Sequence, residues 1–265
     1  MKKLVYVIAV LALLGSGGCG NVPLTGRKQI LLVSDQEVLS ASLTQYGDFM
    51  KGAELSADKK GTEKVVRVGK KIAAATEAYL KANGLEAEIA TFAWEFHLVK
   101  SPEINAFCMP GGKIVVYEGI MPYASTDDEL AAVIGHEVAH AVAKHSNERM
   151  SQQMLASYGG AVLDQAVSKK SATVQAIAGT VYGLGAQYGV MLPYSRKHEL
   201  EADHMGLVFM AMGGYNPQSA ISFWTKMSQG KESSVPEIMS THPADSHRIE
   251  EIKKYLPEAV KFYRK

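Results

Sequence analysis

Cysteine is nearly absent: the 265 residues hold two, Cys19 and Cys108. That excludes a disulfide framework. An excess of either charge is absent too, with Lys+Arg 28 against Asp+Glu 27. A nucleic-acid binder driven by phosphate contacts would carry a basic surplus or patch, so no nucleic-acid partner is expected. No internal repeat or low-complexity tract is visible, and no linker divides the chain. What is present is length enough to bury a substantial core.

The N-terminus begins Lys2-Lys3, continues through the uncharged apolar run Leu4 to Leu14, and reaches Gly15, Ser16, Gly17, Gly18 and Cys19. The run is short for a membrane span, and the pattern reads as a secretory signal. The cysteine after the small residues resembles a bacterial lipoprotein processing site. The expectation is a signal peptide at 1–18, a lipid anchor on Cys19 with a tether through 33, and one folded domain over 34–265. Acyl chains on Cys19 would hold the protein at the periplasmic side of a bacterial envelope. Gly20, where Asp would suggest inner-membrane retention, mildly favours the outer membrane. Cys108, in the apolar run "NAFCM", then reads as a small buried residue.

Local patterns give an α+β, mainly helical chain with a small sheet before its central helix. Ser34 with Glu37 forms a capping box opening a helix towards Glu54, and a second helix runs from about Thr62 to Ala82. Phe92 to Val99 alternates with period two, as a half-buried strand does. "INAFCMPGGKIVVYEG" reads as a hairpin around Pro110-Gly111-Gly112. Thr126 with Glu129 opens another helix, Asn216-Pro217 starts a later one, and Pro257 is expected to close the last long one.

The Thr126 helix carries "IGHEVAHAVAKHS". Residues four apart on a helix lie one turn above each other, so His136 and His140 can both offer a ring nitrogen to one ion. Glu137 sits about 100° round the helix from His136. It therefore flanks the ion and can act as a general base. A third ligand and a group orienting the histidines should come from another element. "SRKHELEADHMG" supplies Glu199, Glu201 and Asp203. Glu199 and Asp203 share a helical face, so one can bind metal while the other accepts a ring N–H; Glu199 is assigned as the ligand and Asp203 as the acceptor. Glu201 points the opposite way and reads as a solvated charge. The remaining histidines read as structural or solvated.

GHEVAH at 135–140 together with SRxxExEAD at 195–203 resembles the gluzincin metallopeptidases of the CAAX prenyl protease and HtpX class. The likeness is greatest to their soluble bacterial periplasmic or lipoprotein members. "NAFCMPGG" (105–112), "THPADSHRI" (241–249) and "PLTGRKQ" are similar to further segments of that family. The resemblance implies a zincin-like (minigluzincin) fold and an endopeptidase with one Zn2+ per chain, held by His136, His140 and Glu199. It implies that the edge strand at Asn105, Ala106 and Phe107 holds an extended or unfolded polypeptide substrate, for which misfolded envelope proteins are the expectation. It also brings His242 near the zinc, as a fourth ligand at rest or as an oxyanion donor. Arg248 assists charge stabilisation or braces its loop. The rival reading is a zinc-stabilised chaperone or assembly factor, against which Glu137 speaks, since a purely structural site has no use for that carboxylate.

Ser171 to Ser195 contains no charged residue, yet Gln175, Gln187 and four glycines interrupt it. It reads as a segment packed over or beside the active site, or as one meeting a membrane surface, rather than as a span.

Overall fold

The computed structural model describes residues 18–187, 192–229, 242 and 246–264. The expected signal peptide therefore lies, apart from Gly18, outside the described residues, as do 243–245 of the late His-Pro segment and 188–191 of the uncharged stretch.

In chain order the described elements are β1 (Cys19–Asn21), β2 (Lys28–Ile30), α1 (Asp35–Gly52), α2 (Lys59–Ala82) and α3 (Glu86–Ile89). Then come β3 (Glu95–Val99), β4 (Ala106–Met109), β5 (Lys113–Tyr117), α4 (Asp127–Val142), α5 (His145–Val167), α6 (Ala172–Ala186), α7 (Leu192–Met212), α8 (Ser219–Gln229) and α9 (Ser246–Ala259). The chain is α+β and mainly helical, as its patterns predict. It divides into two compact units, residues 1–38 with 144–197, and residues 39–143 with 198–265.

In the first unit β1 and β2 pair antiparallel, and the chain after β2 is tied to α5. Arg27 forks onto Glu148 at 2.9 and 2.7 Å, and the Leu32 N–H donates to Ser151 Oγ at 2.8 Å. Helix α6 folds back along α5, where the Tyr182 hydroxyl donates to the Ala156 carbonyl at 2.7 Å.

In the second unit the sheet order is β3-β5-β4, with β3 parallel and β4 antiparallel to β5. The hairpin expected at Pro110-Gly111-Gly112 is thus the β4–β5 pair, and Gly111 and Gly112 turn it with φ of 93° and 79°. Strand β3 is shorter than its alternation predicts: Phe92 and Trp94, whose rings stack with centroids 4.5 Å apart, precede it, and there the Ala93 N–H donates to the Gly111 carbonyl in the turn at 2.9 Å. The last helix also corrects an expectation: Pro257 lies inside α9. Its missing N–H frees the carbonyl of Lys253, but both residues are exposed, so water can take that acceptor.

Helix α4 sits at the centre of this unit, packed against α2, β4 and α8. Every residue from Glu129 to Ala139 is buried. Its apolar side chains point all round, which is the pattern of a helix covered on every side.

Candidate metal centre

The capping box places the start of α4. Glu129 N–H donates to Thr126 Oγ1 at 3.1 Å, and the Thr126 N–H donates back to Glu129 Oε2 at 3.3 Å. Two turns on, the helix meets α7 backbone to backbone. A Cβ on Gly135 would lie 2.9 Å from the Gly206 carbonyl oxygen, and one on Gly206 would lie 2.8 Å from the His136 nitrogen. Only glycine at both positions allows this approach. The crossing sets His136 opposite the acidic face of α7.

At the crossing, His136 Nε2 lies 3.0 Å from His140 Nε2 and 3.2 Å from His242 Nδ1. Glu199 Oε2 lies 3.3 Å from His136 Nε2 and 2.9 Å from His242 Nδ1, and Glu199 Oε1 is 3.4 Å from His140 Nε2. One ligand atom from each of these four residues falls within 4.8 Å of every other. Glu137 stands beside the group, its Oε1 3.7 Å from His242 Nε2. His136 and Glu137 are 2% and 4% exposed, so the motif is not on the wet side of an ordinary helix.

Behind the ligands, Asp203 Oδ1 lies 2.9 Å from His136 Nδ1. A carboxylate can only accept there, so Nδ1 carries the proton and Nε2 turns its lone pair towards the cluster. Asp203 in turn accepts two bonds from Arg248, from Nε at 2.6 Å and from Nη2 at 2.7 Å. The Arg248 Nη1 donates to the His242 carbonyl at 3.2 Å, which ties the backbone of His242 to the same buried group. The guanidinium lies 3.5 Å above the Trp224 ring, whose edge also meets His136.

The electrostatics call for a cation. Burial and the Arg248 charge push the His136 imidazole down, but bonds to Asp203 and Glu199 outweigh them and raise it to about 9. Burial alone would raise the Glu199 carboxyl, yet the three histidines hold it far below the usual carboxylate range. Asp203 is likewise held low, burial being overcome by Arg248 and His136. Glu199 Oε1 and Glu137 Oε1 are buried and have no hydrogen-bond partner among the described residues. Tetrahedral zinc with bonds of about 2.0–2.1 Å sets its ligand atoms roughly 3.3 Å apart. The observed spacings and the nitrogen-and-carboxylate donor set fit that ion.

The residues singled out in the sequence, His136, Glu137, His140, Glu199, Asp203, His242 and Arg248, are brought together here. Two placements differ from expectation. Asn105 precedes β4 and joins the ladder through its carbonyl, which accepts the Tyr117 N–H at 3.1 Å, so the edge strand proper is Ala106–Met109. Glu201 is not solvated: it is 6% exposed, because α9 covers the far side of α7, with Tyr255 stacked on His204 at 4.2 Å. Cys108 on β4 is half-buried, and burial followed by the Glu137 charge raises its thiol well above the ordinary range. Sequence reasoning missed Trp224 and the glycine pair. Trp224 shares the apolar stripe Ala220, Phe223, Trp224, Met227 of α8, which reads only as core.

The sequence profile of Peptidase family M48 matches residues 49–256. The mitochondrial metalloendopeptidase OMA1 of Schizosaccharomyces pombe is 32% identical over 247 residues, 90% of this chain and 66% of that protein. The human mitochondrial metalloendopeptidase OMA1 is 27% identical over 90% of this chain and 46% of its own length. The beta-barrel assembly-enhancing protease of Escherichia coli is 30% identical over 59% of this chain and 33% of its own. The chain thus spans between a third and two thirds of these relatives. They correct the expected location, lipid-anchored in a bacterial envelope, since the relatives matched over most of the chain are mitochondrial. The physical reason is that charge and hydropathy carry no address, whereas the destination of a chain is read by cellular receptors.

Proposed function

The chain belongs to peptidase family M48, and from that premise we propose that it is a zinc-dependent endopeptidase acting on extended or misfolded polypeptides. The observation that carries the reading is the convergence of three ring nitrogens and a buried carboxylate beside a second buried carboxylate, Glu137, whose Oε1 has no hydrogen-bond partner among the described residues. We assign His136, His140 and Glu199 as the metal ligands and residues 34–265 as the peptidase domain. Zinc held there would polarise the scissile carbonyl and lower the pKa of water. Glu137 takes the proton of the attacking water and delivers it to the leaving amine. Asp203 fixes the His136 tautomer, and Arg248 fixes Asp203.

For substrate, the edge of β4, which pairs with no further strand among the described residues, would let an extended chain add by main-chain hydrogen bonds, which demands little of its sequence. The narrower reading, misfolded envelope proteins, draws support from the name of the Escherichia coli relative, a protease that enhances β-barrel assembly. For His242 we favour coordination at rest through Nδ1, because that atom lies within 3.2 Å of His136 Nε2 and 2.9 Å of Glu199 Oε2.

The test is digestion of an unfolded protein by wild type and Glu137→Gln, with bound zinc measured in both. Glu137→Gln is expected to keep its zinc and lose about 10²–10⁴-fold in rate. Near-normal cleavage by the zinc-loaded variant would overturn the assignment. A wild type that binds zinc, cleaves nothing and prevents aggregation would favour the chaperone.

A further inference from the structure

The first unit carries an apolar face that nothing among the described residues covers. Leu155, Tyr158 and Val162 on α5 are 40% to 68% exposed, and Val174, Ile177, Val181 and Leu184 on α6 are 44% to 65% exposed. Both sets recur at three- and four-residue steps, so each forms one stripe. On α5 the side towards α6 is marked by Ala156, Gly159 and Gly160, and on α6 the side towards α5 is marked by Ala178 and Tyr182. At about 100° per residue, each stripe lies roughly a third of a turn from its contact side, in the same sense along its own helix. The two helices run antiparallel, so the stripes fall on the same side of the hairpin and make one surface. An open groove of about 400 Å³ lined by Val33, Met150, Met154 and Tyr158 continues it along α5.

Charge is arranged around this surface rather than on it. Helix α6 has no charged residue. On α5, beyond Glu148, the charged residues are Arg149 and Asp164, each about 150° round from the stripe. Lys169 and Lys170 are exposed in the turn at the tip, which the Gln175 side chain closes by bonding the Ser168 and Lys170 carbonyls at 3.2 and 2.9 Å. The chain enters this unit from a second apolar stretch, Leu4 to Leu14, which follows Lys2 and Lys3. No described helix is long and apolar enough to cross a membrane. Apolar side chains on one face with lysines at the margin are what a segment lying in a bilayer interface presents. A contiguous exposed apolar patch rimmed by polar residues marks an interaction site.

We propose that the α5–α6 hairpin docks on a lipid bilayer, its apolar face at the acyl boundary and Lys169 and Lys170 among anionic headgroups. This goes beyond the peptidase reading and does not rest on it. The test is flotation of the full chain with vesicles of phosphatidylcholine, with and without phosphatidylglycerol. Ile177→Asp combined with Val181→Asp should reduce the floated fraction at least tenfold, with an unchanged melting curve showing that the exposed substitutions leave the fold intact. Lys169→Glu with Lys170→Glu should remove the extra binding that phosphatidylglycerol confers. In a separate variant, Val181→Trp should add a tryptophan emission that shifts to the blue on vesicles and is quenched by lipids brominated in the acyl chain. Flotation of the double aspartate variant at wild-type level would assign binding to the N-terminal run and overturn the proposal. So would an unquenched Val181→Trp. A wild-type dimer in lipid-free solution that the aspartates convert to monomer would make the face a contact between copies instead.

Discussion

Helices α4 and α6 have nearly equal lengths, 16 and 15 residues, and both are built largely from alanine, valine and glycine. Their surroundings are opposite. Helix α4 is buried from Glu129 to Ala139, and the polar residues of that stretch, Glu129, His136 and Glu137, are held inside. Helix α6 has no charged residue to keep it in water, yet of its described side chains only Ala178 and Tyr182 are even half-buried. Apolar composition thus states that a helix is to be covered, without stating by what. In α4 the cover is protein, so the two histidines and the glutamate work in a dry environment where charges interact strongly. In α6 the cover is not found among the described residues.

The comparison can be broken most severely at the ligands. Glu199→Ala should strip the zinc and abolish peptide hydrolysis, whereas Glu201→Ala, on the far side of α7, should keep zinc while lowering the melting temperature of the chain, since Glu201 is buried. Metal analysis showing the reverse would mean that the face of α7 is misassigned. Next comes the helix crossing. Gly206→Ala places a methyl group where the His136 nitrogen lies within 2.8 Å, so the helices must separate. Overpacking of this kind costs about 1–3 kcal/mol, and zinc affinity should fall with it; denaturant titration and zinc competition would measure both.

A smaller and oppositely signed effect is expected at His242. If it occupies a coordination position at rest, His242→Ala opens that position and raises turnover several-fold. A fall in kcat of about 10²–10³-fold with KM little changed would instead make it an oxyanion donor. The smallest effect belongs to α6. Ile177→Ser, at a site 59% exposed, should change stability by no more than about 0.5 kcal/mol. The same kind of change at Ile134 on α4, which is fully buried, should cost several kcal/mol and would complete the contrast.

The side chains of the cluster on α4 and α7 were legible in the sequence because helical periodicity is a local rule. Spacing alone put His136 above His140, and Glu199 on the same face as Asp203. The capping box at Thr126 and Glu129 was readable for the same reason, and it forms as expected. Periodicity did not reveal the Gly135–Gly206 approach. A glycine beside a motif has many uses, and only the crossing of two helices selects this one. Nor did it reveal Trp224, whose stripe on α8 is what any core helix shows, while its stacking on Arg248 depends on two elements far apart in the chain. Glu201 was misread because one helix considered alone has a free side opposite its buried one, and α9 fills it.

By itself, then, the sequence determined which atoms could share a metal ion, because covalent spacing on a helix fixes neighbours within one or two turns. It also determined the mainly helical character of the chain and the hairpin before α4. The tertiary structure alone decided that α4 and α7 meet at two glycines and that Arg248 is clamped between Asp203 and Trp224, and it set His242, which no local period but only the family resemblance brought near the metal, within the cluster. It also decided that α4 is covered and that α6 is left exposed by the described residues. Such contacts depend on chain segments that only packing brings together, and no local period encodes them.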